Sequence, residues 1–462
     1  MKYWSYLLSI CIASSLVGNE VETDRSHQSS LELSITQSNL SLVKENRSFK
    51  LPQGEGRLLV KDIPSSILPE STLVESVTDR VSFVIREQGF LLREVNSADL
   101  LKHFVGKEIQ LIEKSEEGKT EAFTAKLLSA RDGGIYQIGS EVSIGHPGMK
   151  VLPYLPKGFS SEAQLCWAYS NQNRYQQFIR ILYLTRGLSW SANYSITLEP
   201  NETDASFAAW VNIRNYAGVD FHKAKVHLLA GEVASVEPRQ EKVAMRALAM
   251  DMNTMESAAV GETHRYLLPN SIDLEDQSEK QYPFFYQSKL EVNKELRVQG
   301  LPSYYRGRNE GTMPVDVWYY LNLENTEENF LGKPFPSGIV RVYQEQANGE
   351  VHFIGQDQVA HSPSGETIEV RVSKVFDIVA EKKQTNYRGV SKDVHQSEWL
   401  YQLRNRKDET VTVSVIEPMP QNWRMVNSSH RWDKIAANLV KFVVELKAGE
   451  TYDIRYEIET SF

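Results

Sequence analysis

From about residue 30 onward, apolar side chains recur at every second position, and that period constrains this chain more than any other feature. Val411, Val413 and Val415 alternate with Thr412 and Ser414. Phe442, Val444 and Leu446 point one way, Lys441, Val443 and Glu445 the other. Lys447-Ala448-Gly449-Glu450 then reads as the turn of a hairpin. Beyond it Tyr452, Ile454, Tyr456 and Ile458 line one face against Asp453, Arg455 and Glu457. Successive side chains of a strand lie on opposite sides, so each segment buries one face and wets the other. Antiparallel sandwich sheets do this. The expected class is mainly β: antiparallel β-sandwiches, with an immunoglobulin- or fibronectin-like C-terminal part.

At 462 residues, the chain is long enough for two or three cores. Residues 31–98 read as an N-terminal β segment. Leu31 to Arg57 gives two strands and a turn, Leu51-Pro52-Gln53-Gly54-Glu55-Gly56 a second turn, and Ile63-Pro64-Ser65 a break. Val81–Glu87 and Phe90–Val95 flank Gln88-Gly89 like a hairpin. Residues 99–150 have short strands punctuated by Gly106, Gly118, Gly133-Gly134 and Gly139, the pattern of a small, bent SH3-like barrel. Pro153 and Pro156 stiffen a connector. Residues 160–235 with 281–345 are expected to form one sandwich, and 346–462 the immunoglobulin-like one. Between them, 236–280 loses the period and carries Met245, Met250, Met252 and Met255. It reads as a long Met/Ala-rich excursion from a sandwich edge, or, if helical, as a surface for a partner chain.

Lys2, the apolar run Tyr3 to Ile12 and the small residues Ala13-Ser14-Ser15 and Gly18 make residues 1–18 a signal peptide. The run is too short to span a bilayer. Cys11 follows Ile10, too large for a lipidation site. The expectation is a periplasmic or extracellular protein with no transmembrane segment once the signal is removed. Of two cysteines only Cys166 then remains, so no intrachain disulfide is available, and its strand-like surroundings suit a core thiol. Asn-x-Ser/Thr triplets at Asn39, Asn46, Asn193, Asn201 and Asn427 are common enough by chance to carry no argument. Charge is 51 basic against 60 acidic residues, net −9. With no basic stripe longer than the Glu381-Lys382-Lys383 region, nucleic acid is excluded as a partner.

Several elements repeat a known order. Leu51-Pro52 to Gly56, Gly187-Leu188-Ser189-Trp190 to Tyr194, and Leu229-Ala230-Gly231-Glu232-Val233 come first. Leu331 to Gly338, Phe353-Ile354-Gly355, Phe376-Asp377, Leu403-Arg404-Asn405 and Glu417 with Trp423 follow. By this set the chain resembles the domain of unknown function 4139 family, mostly exported bacterial proteins, over nearly the whole mature length. Mucoidy-inhibitor-like members carry a coiled coil after the N-terminal strands. This chain lacks those heptads and has the glycine-punctuated segment instead. The resemblance implies no established reaction, cofactor or site residues.

The chemistry-bearing patterns mostly have plain structural readings. Gly187-Leu188-Ser189-Trp190-Ser191 nearly spells a nucleophile elbow, but Ser191 replaces the closing glycine and the following residues read as strand, not helix. Ser189 is read as part of a turn and Trp190 as a core indole. His222 and His227 are five apart, on opposite faces of a strand, and no metal ligand set is recognised. Asp377, Glu417, Asp220 and Glu232 are the carboxylates to inspect, Asp377 first because Phe376 beside it reads as buried. Among the aromatics, Trp318-Tyr319-Tyr320 is read as core. Phe284-Phe285-Tyr286 and Tyr304-Tyr305 divide evenly between core packing and stacking on sugars or a peptide. The expectation is an exported, non-enzymatic protein that binds or braces an envelope component or a protein partner. No cofactor, metal or catalytic residue is assigned. The alternative is a carbohydrate-active or other hydrolase, which needs two carboxylates facing each other across a cleft.

Overall fold

The computed structural model describes residues 19–79, 81–91, 97–114, 120–131, 133–146, 148–156, 162–173, 176–231, 258–260, 263–300, 305 and 307–461. Residues 1–18, read from sequence as a signal peptide, and most of the Met-rich stretch lie outside them. The chain is mainly β, and the described strands gather into six sheets.

In the N-terminal half the sheets are woven from distant segments. A four-stranded sheet runs Asn19–Thr23, Gly54–Ile63, Ala163–Asn171, Phe83–Leu91. An eight-stranded sheet places Gln28–Thr36 and Ser41–Lys50 between Phe221–Ala230 and Gln176–Thr185. The expected hairpin at Gln88-Gly89 is instead one continuous strand, Phe83–Leu91, with Gly89 opposite Cys166. Glycine in a strand need not turn it when a neighbouring strand supplies a full ladder. Among the described residues four strand pairings are parallel, one in each of four sheets, so those four are mixed while the other two are antiparallel.

Between Phe83–Leu91 and Ala163–Asn171 the chain makes a smaller unit with its own core of Phe104, Ile109, Leu111, Ala125, Leu127 and Tyr136. Its five strands run Glu141–Ile144, Ile135–Ile138, Thr120–Ser129, Glu108–Lys114, Met149–Val151. The two end strands do not pair among the described residues, so this is an open sheet and not a closed barrel.

Of the 236–280 stretch, 236–257, 261 and 262 lie outside the described residues, as do Met245, Met250, Met252 and Met255. The remainder is regular: Thr263–Leu267 and Ile272–Leu274 both pair with Phe221–Ala230. Leu268, Ile272 and Leu274 are buried there, three apolar positions too few to reveal a period.

The C-terminal sandwich faces a six-stranded sheet against a five-stranded one. The first contains Asn293–Gln299, Val317–Glu324, Val411–Pro418 and Leu439–Leu446. The second contains Ile378–Gly389, Val394–Asn405 and Thr451–Ser461. The strands Asn293–Gln299, Thr312–Val315 and Val317–Glu324 thus join this sandwich, while Gly338–Glu345 and Val351–Val359 belong to another sheet. The alternation of the last two strands holds: Phe442, Leu446, Ile454 and Ile458 are fully buried while Arg455 is exposed. The hairpin does not. Leu439–Leu446 pairs with Val411–Pro418, and Thr451–Ser461 with Val394–Asn405. Lys447–Glu450 therefore carries the chain across the sandwich, where Phe442 and Tyr456 meet ring to ring at 5.5 Å. Burying each such side chain contributes roughly 1.5–3 kcal/mol.

Candidate functional site

The strand Leu188–Leu198 divides its residues cleanly between two sides of a five-stranded sheet. The strand order is Ser278–Glu291, Asp204–Asn215, Leu188–Leu198, Gly338–Glu345, Val351–Val359. Leu188, Trp190, Ala192, Tyr194, Ile196 and Leu198 are buried inward. Trp190 Nε1 donates to the Leu229 carbonyl at 3.1 Å, and the Tyr194 hydroxyl to that of Pro336 at 2.6 Å. Phe335 fills the space between Tyr194, Phe207 and Phe285, with ring centroids 5.4–6.0 Å apart. Gly338 allows the close parallel approach, since a Cβ there would collide with the Ala192 carbonyl. Three distant motifs, around Trp190, Leu229 and Pro336, thus meet as one piece of scaffold. Trp190 is a core indole, as expected. Ser189 is not in a turn but on the strand, half-buried, opposite Arg214.

The outward side of the same sheet is the candidate site. Ser189, Ser191, Asn193, Ser195 and Thr197 make a stripe of hydroxyl and amide groups down its middle strand. Aromatic side chains flank it. Trp210, opposite Asn193, is 40% exposed, and Tyr286, opposite Ala208, is 67% exposed. On the other flank lie Ile339 and the pair Tyr343–Phe353, whose rings meet edge to face at 5.8 Å. Gln356 and Gln358 extend the amide character, and Arg341 bonds Asn193 Oδ1 at 3.2 Å. Strand spacing and rise put the Trp210–Tyr286 platform on the order of 15 Å from the Tyr343–Phe353 platform. In proteins generally, exposed aromatic side chains gathered on an open face mark the surfaces where partners or ligands are met. Of the Phe284-Phe285-Tyr286 triplet, Phe284 and Phe285 pack on the core and Tyr286 alone is presented outward. Trp210 and Tyr343 are not singled out by the sequence, and Phe353 enters it only within a family element; their outward register positions are the available signal.

A second cluster is sealed inside the C-terminal sandwich. Ile378, Ala380, Lys382 and Gln384 occupy the inward positions of one strand. Lys382 and Glu417, from the facing sheet, have no exposed side-chain surface, and their Nζ and Oε1 atoms are 2.5 Å apart. The rings of Trp399, Tyr305, Tyr401 and Tyr456 surround Nζ, with centroids 4.3, 4.8, 5.3 and 5.9 Å away. Tyr305 donates to Glu417 Oε1 and Tyr401 to Oε2, each at 2.5 Å. Burial holds the Lys382 ammonium below the usual lysine range, and Glu417 offsets only part of that. Burial likewise pushes the Tyr305 and Tyr456 hydroxyls well up. So one lysine of the Glu381-Lys382-Lys383 region is a core residue. Tyr305 is also core; Tyr304 lies outside the described residues.

The remaining sequence candidates do not converge. Phe376 is 83% exposed, correcting its reading as a buried neighbour of Asp377; it follows the end of a strand where no facing sheet covers it. Asp220 accepts from the Asp276 amide at 2.8 Å, a turn-capping role. Glu232 lies outside the described residues. His222 is exposed and His227 buried, but not because they lie on opposite faces: a bulge at Lys223 turns both Phe221 and Ala224 toward the core and leaves the two histidines on the other side. Neither nitrogen of His227 has a hydrogen-bond partner among the described residues. Burial, with Arg265 adding to it, depresses His227 to about 4. Cys166 is half-buried on its strand. Among the described residues no group of three or more His, Cys, Asp and Glu is placed to hold a metal ion. None of the described helices is long and apolar enough to cross a membrane. An apolar cavity behind the aromatic sheet is lined by Tyr194, Phe207, Leu323, Phe335, Ile368 and Ser362 among others, without a carboxylate or histidine.

Residues 179–462 match the family model described as Domain of unknown function (DUF4139). The Leu51–Gly56 element lies outside that stretch, whereas the Trp190, Pro336, Asn405 and Glu417 motifs fall within it. No curated protein matches the chain. With well over half of its length covered, and with the matched motifs forming the scaffold just described, the chain belongs to the DUF4139 family.

Proposed function

We propose that the protein is exported and acts without catalysis, binding an envelope glycan on the outward face of the aromatic sheet. The observation that carries this is the pairing of exposed rings, Trp210, Tyr286 and Phe353, with an uncharged stripe of Ser, Thr and Asn. Rings stack on the apolar faces of sugars, while hydroxyl and amide groups match sugar hydroxyls in both donor and acceptor sense. A protein partner is less well matched, because interface cores favour contiguous apolar contact, and here polar side chains separate the platforms. The N-terminal Lys2 to Gly18 pattern supports export, which gives such a face access to envelope polysaccharide. A hydrolase reading loses its footing in the carboxylates: Glu417 is walled in and Asp220 caps a turn.

The test is retention of the purified protein on isolated cell-wall polysaccharide. Trp210→Ala combined with Tyr286→Ala should abolish retention, while Phe178→Ala, exposed on a different sheet, should retain it. Equal retention of both variants, or none by the parent protein on any envelope polysaccharide, overturns the reading.

A further inference from the structure

We propose that Lys382 and Glu417 condense after folding into an amide that ties together the two sheets of the C-terminal sandwich. The two residues sit on facing sheets, on the strands Ile378–Gly389 and Val411–Pro418. Their reacting groups are already in contact at 2.5 Å, with no exposed surface on either side chain. A charged pair in such a place carries a large desolvation cost. Moving one proton from ammonium to carboxylate removes both charges and leaves a neutral amine, the nucleophilic form of lysine. Two groups held this way react as if at very high concentration, with effective molarities of roughly 10⁵–10⁸ M for well-oriented pairs. The four rings around Nζ restrict the room for water. Gly300 completes the enclosure, since a Cβ there would collide with the Glu417 carboxylate.

The atoms balance without any further reagent. Lys382 first gives a proton to Glu417 Oε1, leaving an amine and a carboxylic acid. Nζ attacks Cδ, and the charge that builds on Oε2 is held by the Tyr401 hydroxyl, which already donates to that oxygen. A second proton passes from nitrogen to Oε1 through Tyr305, which bonds Oε1. The Cδ–Oε1 bond then breaks, water leaves, and the Cδ=Oε2 double bond re-forms beside the new N–Cδ bond.

Peptide mass spectrometry of the folded protein after prolonged incubation tests this. A branched peptide joining the Lys382 and Glu417 segments is expected, lighter than its two parts by one water, with cleavage after Lys382 lost. Tyr401→Phe should slow its appearance about a hundredfold, by analogy with loss of one oxyanion donor. Recovery of both segments wholly as linear peptides overturns the proposal and leaves the pair as an ion pair only. So does a link placed on other residues, or an unchanged rate in folded Tyr401→Phe.

Discussion

Asn215 and Asn405 make the same three-way staple at equivalent strand ends. Each is buried at the last position of its strand. Asn215 Nδ2 donates to the carbonyls of Val219 and Leu274, and its Oδ1 accepts from the Ala217 amide. Asn405 does likewise with Glu409, Leu446 and Lys407, and adds Lys447. In both cases the side chain closes its own turn, four residues ahead and two, and reaches a distant strand. Backbone groups that turn away from a ladder inside a protein must find partners, and one amide serves three or four of them.

Removing that amide should therefore cost more than a surface contact. Asn405→Ala is expected to lower stability by about 2–4 kcal/mol, because several buried carbonyls and an amide lose their partner together. Asn405→Asp should be no better, since a carboxylate accepts but cannot donate to the Glu409, Leu446 and Lys447 carbonyls. Urea unfolding of both variants checks this; a loss under about 0.5 kcal/mol, the level of a neutral surface change, would show the staple is redundant.

The last strand separates its two faces sharply. Ile454 is fully buried, whereas the Arg455 side chain is exposed and meets Asp453 at 3.5 Å. Ile454→Asp should cost about 4 kcal/mol or more, from lost burial plus an unpaired buried carboxylate. Arg455→Asp should stay within about 0.5 kcal/mol of the parent. Equal thermal midpoints for the two variants would mean the register is wrong.

Local physics explains what could be read ahead of the structure. Alternation placed Ile454 and Phe442 inward because a strand's own geometry dictates it. Partnership between strands is a long-range matter, so the Lys447–Glu450 turn looked like a hairpin although it bridges two sheets. The burial of Lys382 is not legible in the sequence, because lysine is almost never fully buried without a partner and its partner Glu417 is distant in sequence. Ile378-x-Ala380-x-Lys382-x-Gln384 did hold the register. The staples had a signal as well, the matching triplets Ile213-Arg214-Asn215 and Leu403-Arg404-Asn405. The aromatic face was half legible: Tyr286 stood out in an aromatic run, but Trp210 and Phe353 belong to it only through pairing with strands elsewhere in the chain.

His227 gives a pH dependence of known sign. Folding depresses it from 6.5 to about 4, chiefly by burial. Between those values the unfolded chain holds more protons, so stability rises with pH through the window. The penalty is full below pH 4 and absent above 6.5, and amounts to at most about 3 kcal/mol. His227→Leu should flatten the stability profile from pH 4 to 6.5 while changing little at pH 8. An unchanged slope would place the acid sensitivity elsewhere.

Glu295 acts in a lower window. Its Oε2 meets Arg297 on its own strand at 2.5 Å, and its Oε1 meets Lys441 at 2.9 Å from the strand beyond Val411–Pro418. Burial alone would raise this carboxyl, but the hydrogen bonds from Arg297 and Lys441 outweigh it and bring it to about 2. A carboxyl depressed on folding stabilises fully above its ordinary 4.5 and loses that contribution as pH falls through about 2. Arg297 also stacks over Tyr320 at 4.2 Å and bonds Glu369 at 2.8 Å, so its place does not depend on Glu295 alone. Glu295→Gln should cost about 2–3 kcal/mol at pH 7 and converge on the parent near pH 2. Chemical denaturation at the two pH values checks it: a deficit that persists undiminished in acid would mean packing, and not charge, holds Glu295 in place.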